Sequence, residues 1–305
     1  MAEPQHSVDF NVVAKPLDSL LAALTNKIER EWPAHLTTIR GARELFLLTL
    51  RTADATDRSV RWLCADKPAD PDRRLDYCIS VPPLNRTILD NLFTIIFVLE
   101  DLPTRCAWYF KADWRETRLE LERHKAEYGH LTEWQEWLAK MTAYSDIGVS
   151  IAGISTSEAA APLSIPRWPN PGAMVNFEIS SKSPLPPSRA FLKYLNDWFY
   201  ADLSQQSHLG GSGLTKRAGA LVNDYRKNPE TEANLRRYRN SQVGQTVALI
   251  LALASELEAY FNFGLRERVQ YLWGVVTPYI VVTKELFDQR YAALFGMNPS
   301  MIIRP

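Results

Sequence analysis

Two short patterns hold the residue types that catalysis and ligand binding draw on. In P-L-N-R-T-I-L-D, Arg86 and Asp90 stand four residues apart; in Y-A-D-L-S-Q-Q-S-H, Tyr200, Ser204 and His208 repeat at the same interval. On a helix that interval puts side chains on one face. Both patterns lie in apolar stretches, where a polar side chain needs a partner. If the two helices pack together, the five groups form one network. Its chemistry would be acid–base catalysis by His208 and stabilisation of phosphate charge by Arg86, with Asp90 and Ser204 as supporting catalytic candidates. The same residues suit a structural network that holds two helices in register. Tyr200 and Trp168, the latter in R-W-P-N-P-G, are the ligand-binding candidates for a pocket between these helices.

Other constellations are weaker. Arg123-His124 and His130 match the R-x(4–6)-H pattern of HEPN-type ribonucleases, but Gly129 is expected to end the helix before His130. Glu127 and His130 make a single E-x-x-H, whereas a di-metal helical site needs two plus two further glutamates, so neither a metal nor a cofactor is expected. Ser204 and His208 lack an identifiable oxyanion hole, and G-G-S-G-L-T-K lacks the P-loop order. The run L-R-R-Y-R-N, with Arg236, Arg237 and Arg239 around Tyr238, is the best nucleic-acid candidate and makes RNA a candidate partner. A solvated helix face accounts for the same run.

P-L-N-R-T-I-L-D resembles the R-x-x-x-acid signature of a bacterial all-helical family defined only as a domain of unknown function. R-W-P-N-P-G followed by Y-L-N-D-W-F-Y-A-D-L-S-Q-Q-S-H resembles its second signature, a Trp-Pro loop and then Y-x-x-L-S-x-x-x-H. The similarity spans Thr37–Gly213, with Asp90 where the family usually has Glu. The resemblance implies an all-α fold and this choice of residues; it brings no activity with it.

The elements that must position these residues read as helices almost throughout. The pattern predicts an all-α bundle of seven to nine helices in one domain, 1–305, around a buried central helix at Leu84–Leu99, which is apolar nearly all round. Residues 1–15 read as an N-terminal arm, with a first helix from Pro16 and a second over Leu36–Cys64. Pro82-Pro83 should kink the third helix or start a new one. Charged and short helices follow at Thr104–Tyr128 and Thr132–Ala143, then a Pro-rich connection over 147–187. The opening helix to His208 comes next, a short one from Leu214, and a C-terminal long-helix pair over 230–295, kinked at Pro278. That pair would cover the bundle or build a homodimer.

Lys plus Arg and Asp plus Glu number 35 each, which removes a global basic field as a way to recruit nucleic acid or anionic membrane. Three cysteines with no C-x-x-C pair read as free thiols. No secretion signal is legible, and no apolar run reaches the ~18 residues of a spanning segment. The expectation is a cytoplasmic protein with no membrane partner. Three functions stay open: an interaction or scaffold module, with bacterial stress or phage defence as a setting; a metal-independent ribonuclease using His208 and Arg86; and a small-molecule sensor.

Overall fold

A computed structural model of the chain describes residues 10–65, 75–178, 183–207, 229–277 and 281–296, with isolated residues between 211 and 222. Among the described residues there is no strand, and nine helices have eleven residues or more, so the chain is all-α. At the centre lies α3, Asp76–Glu100, the third helix in the chain. Ile88, Leu89, Leu92, Phe93 and 95–99 leave at most 1% of their surface exposed, as a helix apolar on every side requires. Pro82 and Pro83 lie within this helix, which continues through them.

Helix α1 (Phe10–Arg30) packs on α2 (Ala42–Leu63). The expected arm is therefore corrected at its inner end: 10–15 are helical and Pro16 is interior. Val13 extends the buried stripe of Leu17, Leu20, Leu21, Leu24 and Ile28, which offsets the amide hydrogen bond that Pro16 removes. Residues 1–9 lie outside the described set. The expected second helix is split into a 3-10 turn, Ala34–Leu36, and α2. Gly41, at φ +72°, forms the junction, and a Cβ there would lie 2.4 Å from the Phe110 ring.

Helices α4 (Leu102–Tyr128) and α5 (Gln135–Ala152) form a hairpin. Beside the main core, this hairpin and the chain that follows it enclose a small satellite core of Trp114, Ala152, Ile154 and Ile165. Helix α5 runs past its expected end at Ala143, because Ser145, Val149 and Ala152 continue the face that meets Trp114. The expected connection over 147–187 is corrected accordingly. Its described part holds the end of α5, then α6 (Thr156–Ala160) and α7 (Pro171–Asn176). A Ser155–Glu158 capping box and the Asn170 side chain start the two short helices.

Helix α8 runs from Arg189–Tyr194 through a π-helical turn, Leu195–Tyr200, into Ala201–Ser207, and packs on α3. Helix α9 (Pro229–Phe261) packs on another side of α3. Its Ala233–Phe261 stretch is long and apolar enough to cross a membrane by composition, unlike the expectation from apolar runs alone, yet 83% of the window is buried within the protein. Helix α10 (Arg266–Val276) follows. The C-terminal helix α11 consists of Val281–Leu286, a second π-helical turn at Phe287–Tyr291, and Ala292–Phe295. Pro278, the expected kink, lies outside the described residues.

Candidate functional site

The structure brings Arg86, Asp90 and Tyr200 together. One helical turn within α3 lets Arg86 Nε donate to both carboxylate oxygens of Asp90 at 3.0 Å. The Arg86 guanidinium carbon lies 3.4 Å from the centre of the Tyr200 ring, which in turn meets Phe93 edge-on. A cation over an aromatic face is attracted by the ring quadrupole, more strongly where water is excluded. The Arg86 side chain is 14% exposed and Asp90 47%. Burial raises the Asp90 carboxyl above its ordinary value, and Arg86 pulls against that shift. One donor stays over: Arg86 Nη1 is buried without a hydrogen-bond partner.

Ser204, half-buried one turn beyond Tyr200, makes no side-chain hydrogen bond among the described residues. His208 lies outside the described residues. Trp168 is docked away from Arg86, edge-on to Phe97, Trp108 and Tyr109 at 5.1–5.4 Å, while Trp108 Nε1 donates to the Pro166 carbonyl at 3.0 Å. Trp168 therefore fixes its loop to α3 and α4. In the basic run, Arg236 and Arg237 are exposed near the start of α9 and Arg239 is half-buried. Lys216, Arg217, Arg226 and Lys227, which would extend that patch, lie outside the described residues. Helix α4 ends at Tyr128, before His130, and His124 packs against Tyr128 and Trp137. No cluster of three or more His, Cys, Asp or Glu among the described residues is arranged to hold a metal.

What the sequence reading missed lies on the opposite face of α8. A cleft of about 540 Å³ opens between α8 and α9, with α11 at one side. The π-turn widens the spiral within Leu195–Tyr200, so that Trp198 and Phe199 line this cleft while Tyr200 faces α3. Tyr194 OH donates to Glu285 at 2.8 Å, and burial together with that carboxylate pushes the phenol up. Gln206 Nε2 donates to Asp202 at 2.6 Å, and Gln206 Oε1 accepts from Tyr238 OH at 3.2 Å. Tyr238, expected as part of a nucleic-acid patch, is thus a wall of the cleft.

The floor of the cleft is polar. Asn85, fully buried beside Arg86, accepts from Thr246 Oγ1 at 2.6 Å and donates to the Gln242 carbonyl and the Gln245 side chain at 3.3 and 3.4 Å. Gln242 is 4% exposed, lines the cleft, and its Oε1 has no hydrogen-bond partner. Consecutive residues of α3 thus serve two regions, with Asn85 under the cleft and Arg86 under Tyr200. Asp202 and Gln206, four apart within Y-A-D-L-S-Q-Q-S-H, were the available signal.

The chain matches no family model, no curated protein and no solved structure.

Proposed function

We propose that the protein is a helical binding module in which Arg86, Asp90 and Tyr200 hold α3 and α8 in register and the cleft between α8 and α9 receives a small ligand. This joins the interaction-module and sensor readings. The observation that carries it is the cleft itself: about 540 Å³, aromatic along α8, with a buried acceptor, Gln242 Oε1, left without a partner. That volume lies in the range of small-molecule sites, which pair apolar walls with a few converging polar groups. Arg86, bonded to Asp90 and covered by Tyr200, fits a structural role. A bacterial cytoplasmic setting accords with the motif resemblance and with three buried cysteines, none of them in a disulfide.

The test is a thermal-shift panel of chemically diverse small molecules against the wild type and Ser241→Trp, a change at an exposed wall residue that fills the cleft. A saturable rise in Tm for the wild type that disappears in Ser241→Trp is expected. Absence of any cleft-dependent shift overturns the reading.

One observation favours a metal-independent ribonuclease as a second reading: the spare Arg86 Nη1 donor is of the type that stabilises phosphate charge. RNA cleavage by wild type in chelator-treated buffer, lost in Arg86→Met with the fold intact, would establish it over the first.

A further inference from the structure

We infer that the cleft ligand is an amphipathic amine, a molecule with a protonated nitrogen and a flat apolar body. The inference rests on the binding-module reading and specifies what the cleft selects. Among the described residues that line the cleft there is no lysine or arginine, while the Glu285 carboxylate stands at its edge and is exposed. It accepts a hydrogen bond from a neutral phenol, Tyr194, and the adjacent Lys284 pairs with Asp288, so among the described residues its negative charge meets no cation.

The unpartnered group at the floor has the same preference. Gln242 Oε1 is an acceptor, and a rotation of its amide about the terminal bond turns it toward the cleft, where an N–H donor satisfies it. A ligand carboxylate or phosphate would bring a second acceptor to that oxygen and a like charge to Glu285.

The walls supply the remainder of the selectivity. Trp198 leaves 71% of its surface exposed at the cleft, an unusual position for the largest aromatic side chain. With Phe199 and Tyr238 it lines the cleft with aromatic rings, which suit a flat body and a neighbouring cation. The three features agree on one ligand: nitrogen toward Gln242 and Glu285, apolar part along the rings. Neither Arg86 nor Asp90 takes part.

The experiment compares three probes of one shape by calorimetric titration: phenethylammonium, 2-phenylethanol and phenylacetate. Phenethylammonium is expected to bind most tightly, with at least a tenfold loss in Glu285→Gln or Gln242→Leu and a complete loss in Ser241→Trp. Helical circular dichroism checks that each variant is folded; Glu285 lies at the surface, so Glu285→Gln preserves the test if Gln242→Leu does not fold. Equal or tighter cleft binding by phenylacetate or 2-phenylethanol overturns the amine assignment while leaving the cleft as a binding site. Failure of phenethylammonium to bind, or binding that survives Ser241→Trp, also overturns it; the diverse panel separately decides whether the cleft binds anything.

Discussion

Arg290 and Arg86 both lie among apolar side chains and both pair with a carboxylate, but they are held differently. Arg290 Nε and Nη2 donate to the two oxygens of Glu256 at 2.6 and 2.9 Å, and Nη1 donates to the Pro186 and Pro187 carbonyls. Arginine and glutamate are 4% and 0% exposed. This pair is closed: it joins α9 to α11 and ties down the end of the proline-rich segment that leads into α8. Arg86 shares one nitrogen between the two oxygens of a half-exposed Asp90, stacks on Tyr200, and keeps a buried donor unmatched. A buried ion pair whose every donor is met is hard to disturb without loss of fold. A pair with an unmet donor contributes less and can be replaced at lower cost.

The largest effect should follow from opening the closed pair. Glu256→Gln leaves the Arg290 charge buried without compensation and is expected to lower stability by roughly 3–5 kcal/mol in denaturant titration. A loss under about 1 kcal/mol would erase the contrast with Arg86.

A third pair sharpens the comparison by reversing the sign. Asp57 is 1% exposed beside Arg61, which is also engaged by Asp18 at 2.5 Å. Burial, against the opposing pull of Arg61, raises the Asp57 carboxyl from 3.8 to about 6. The native state therefore holds its proton more tightly than the unfolded chain. The stability linked to that proton is fully present below about pH 4 and is lost as pH rises through 6. At neutral pH, Asp57→Asn should raise stability by roughly 1–3 kcal/mol, with Asp18 still holding Arg61, and should flatten the stability profile between pH 4 and 6. Melting curves at pH 4, 5, 6 and 7 test this; a destabilised variant at pH 7 would show that the Arg61 contact outweighs desolvation.

Smaller effects are expected at the open pair. Arg86→Met keeps most of the apolar stem and loses the stack on Tyr200, for a cost of about 1 kcal/mol in denaturant titration. A cost above about 3 kcal/mol would make this pair as closed as Arg290–Glu256 in energetic terms. Asp90→Asn should change stability least, by roughly 0.5 kcal/mol or less, because the acid faces solvent. Equal losses in the two variants would mean that the stack on Tyr200 depends on Asp90 to position Arg86.

The legible parts of this molecule were those encoded within one helix. The central helix announced itself through an apolar surface on every side, and Arg86–Asp90 through a four-residue interval. Tyr200 could be matched to them because a polar stripe on an apolar helix demands a partner. The cleft was not legible, because it depends on a π-turn that places Trp198 and Phe199 on one side and Tyr200 on the other. One extra residue in a turn leaves no trace in composition or periodicity. Gln242 and Tyr238 reach the cleft from α9, and only tertiary packing makes them neighbours of Gln206. Glu256 did leave a signal: an acid directly after the apolar run Val247–Ser255 requires a buried cation, although nothing local identifies that cation as Arg290.

The division of α8 into a register-holding face and a ligand-receiving face is tested most directly by running Arg86→Met and Ser241→Trp side by side against the same small-molecule panel. Arg86→Met should melt lower than wild type yet keep its ligand-induced rises in Tm, and Ser241→Trp should lose those rises at an unchanged baseline. Loss of the ligand response in Arg86→Met with retention in Ser241→Trp would contradict the account and move the functional site to Arg86.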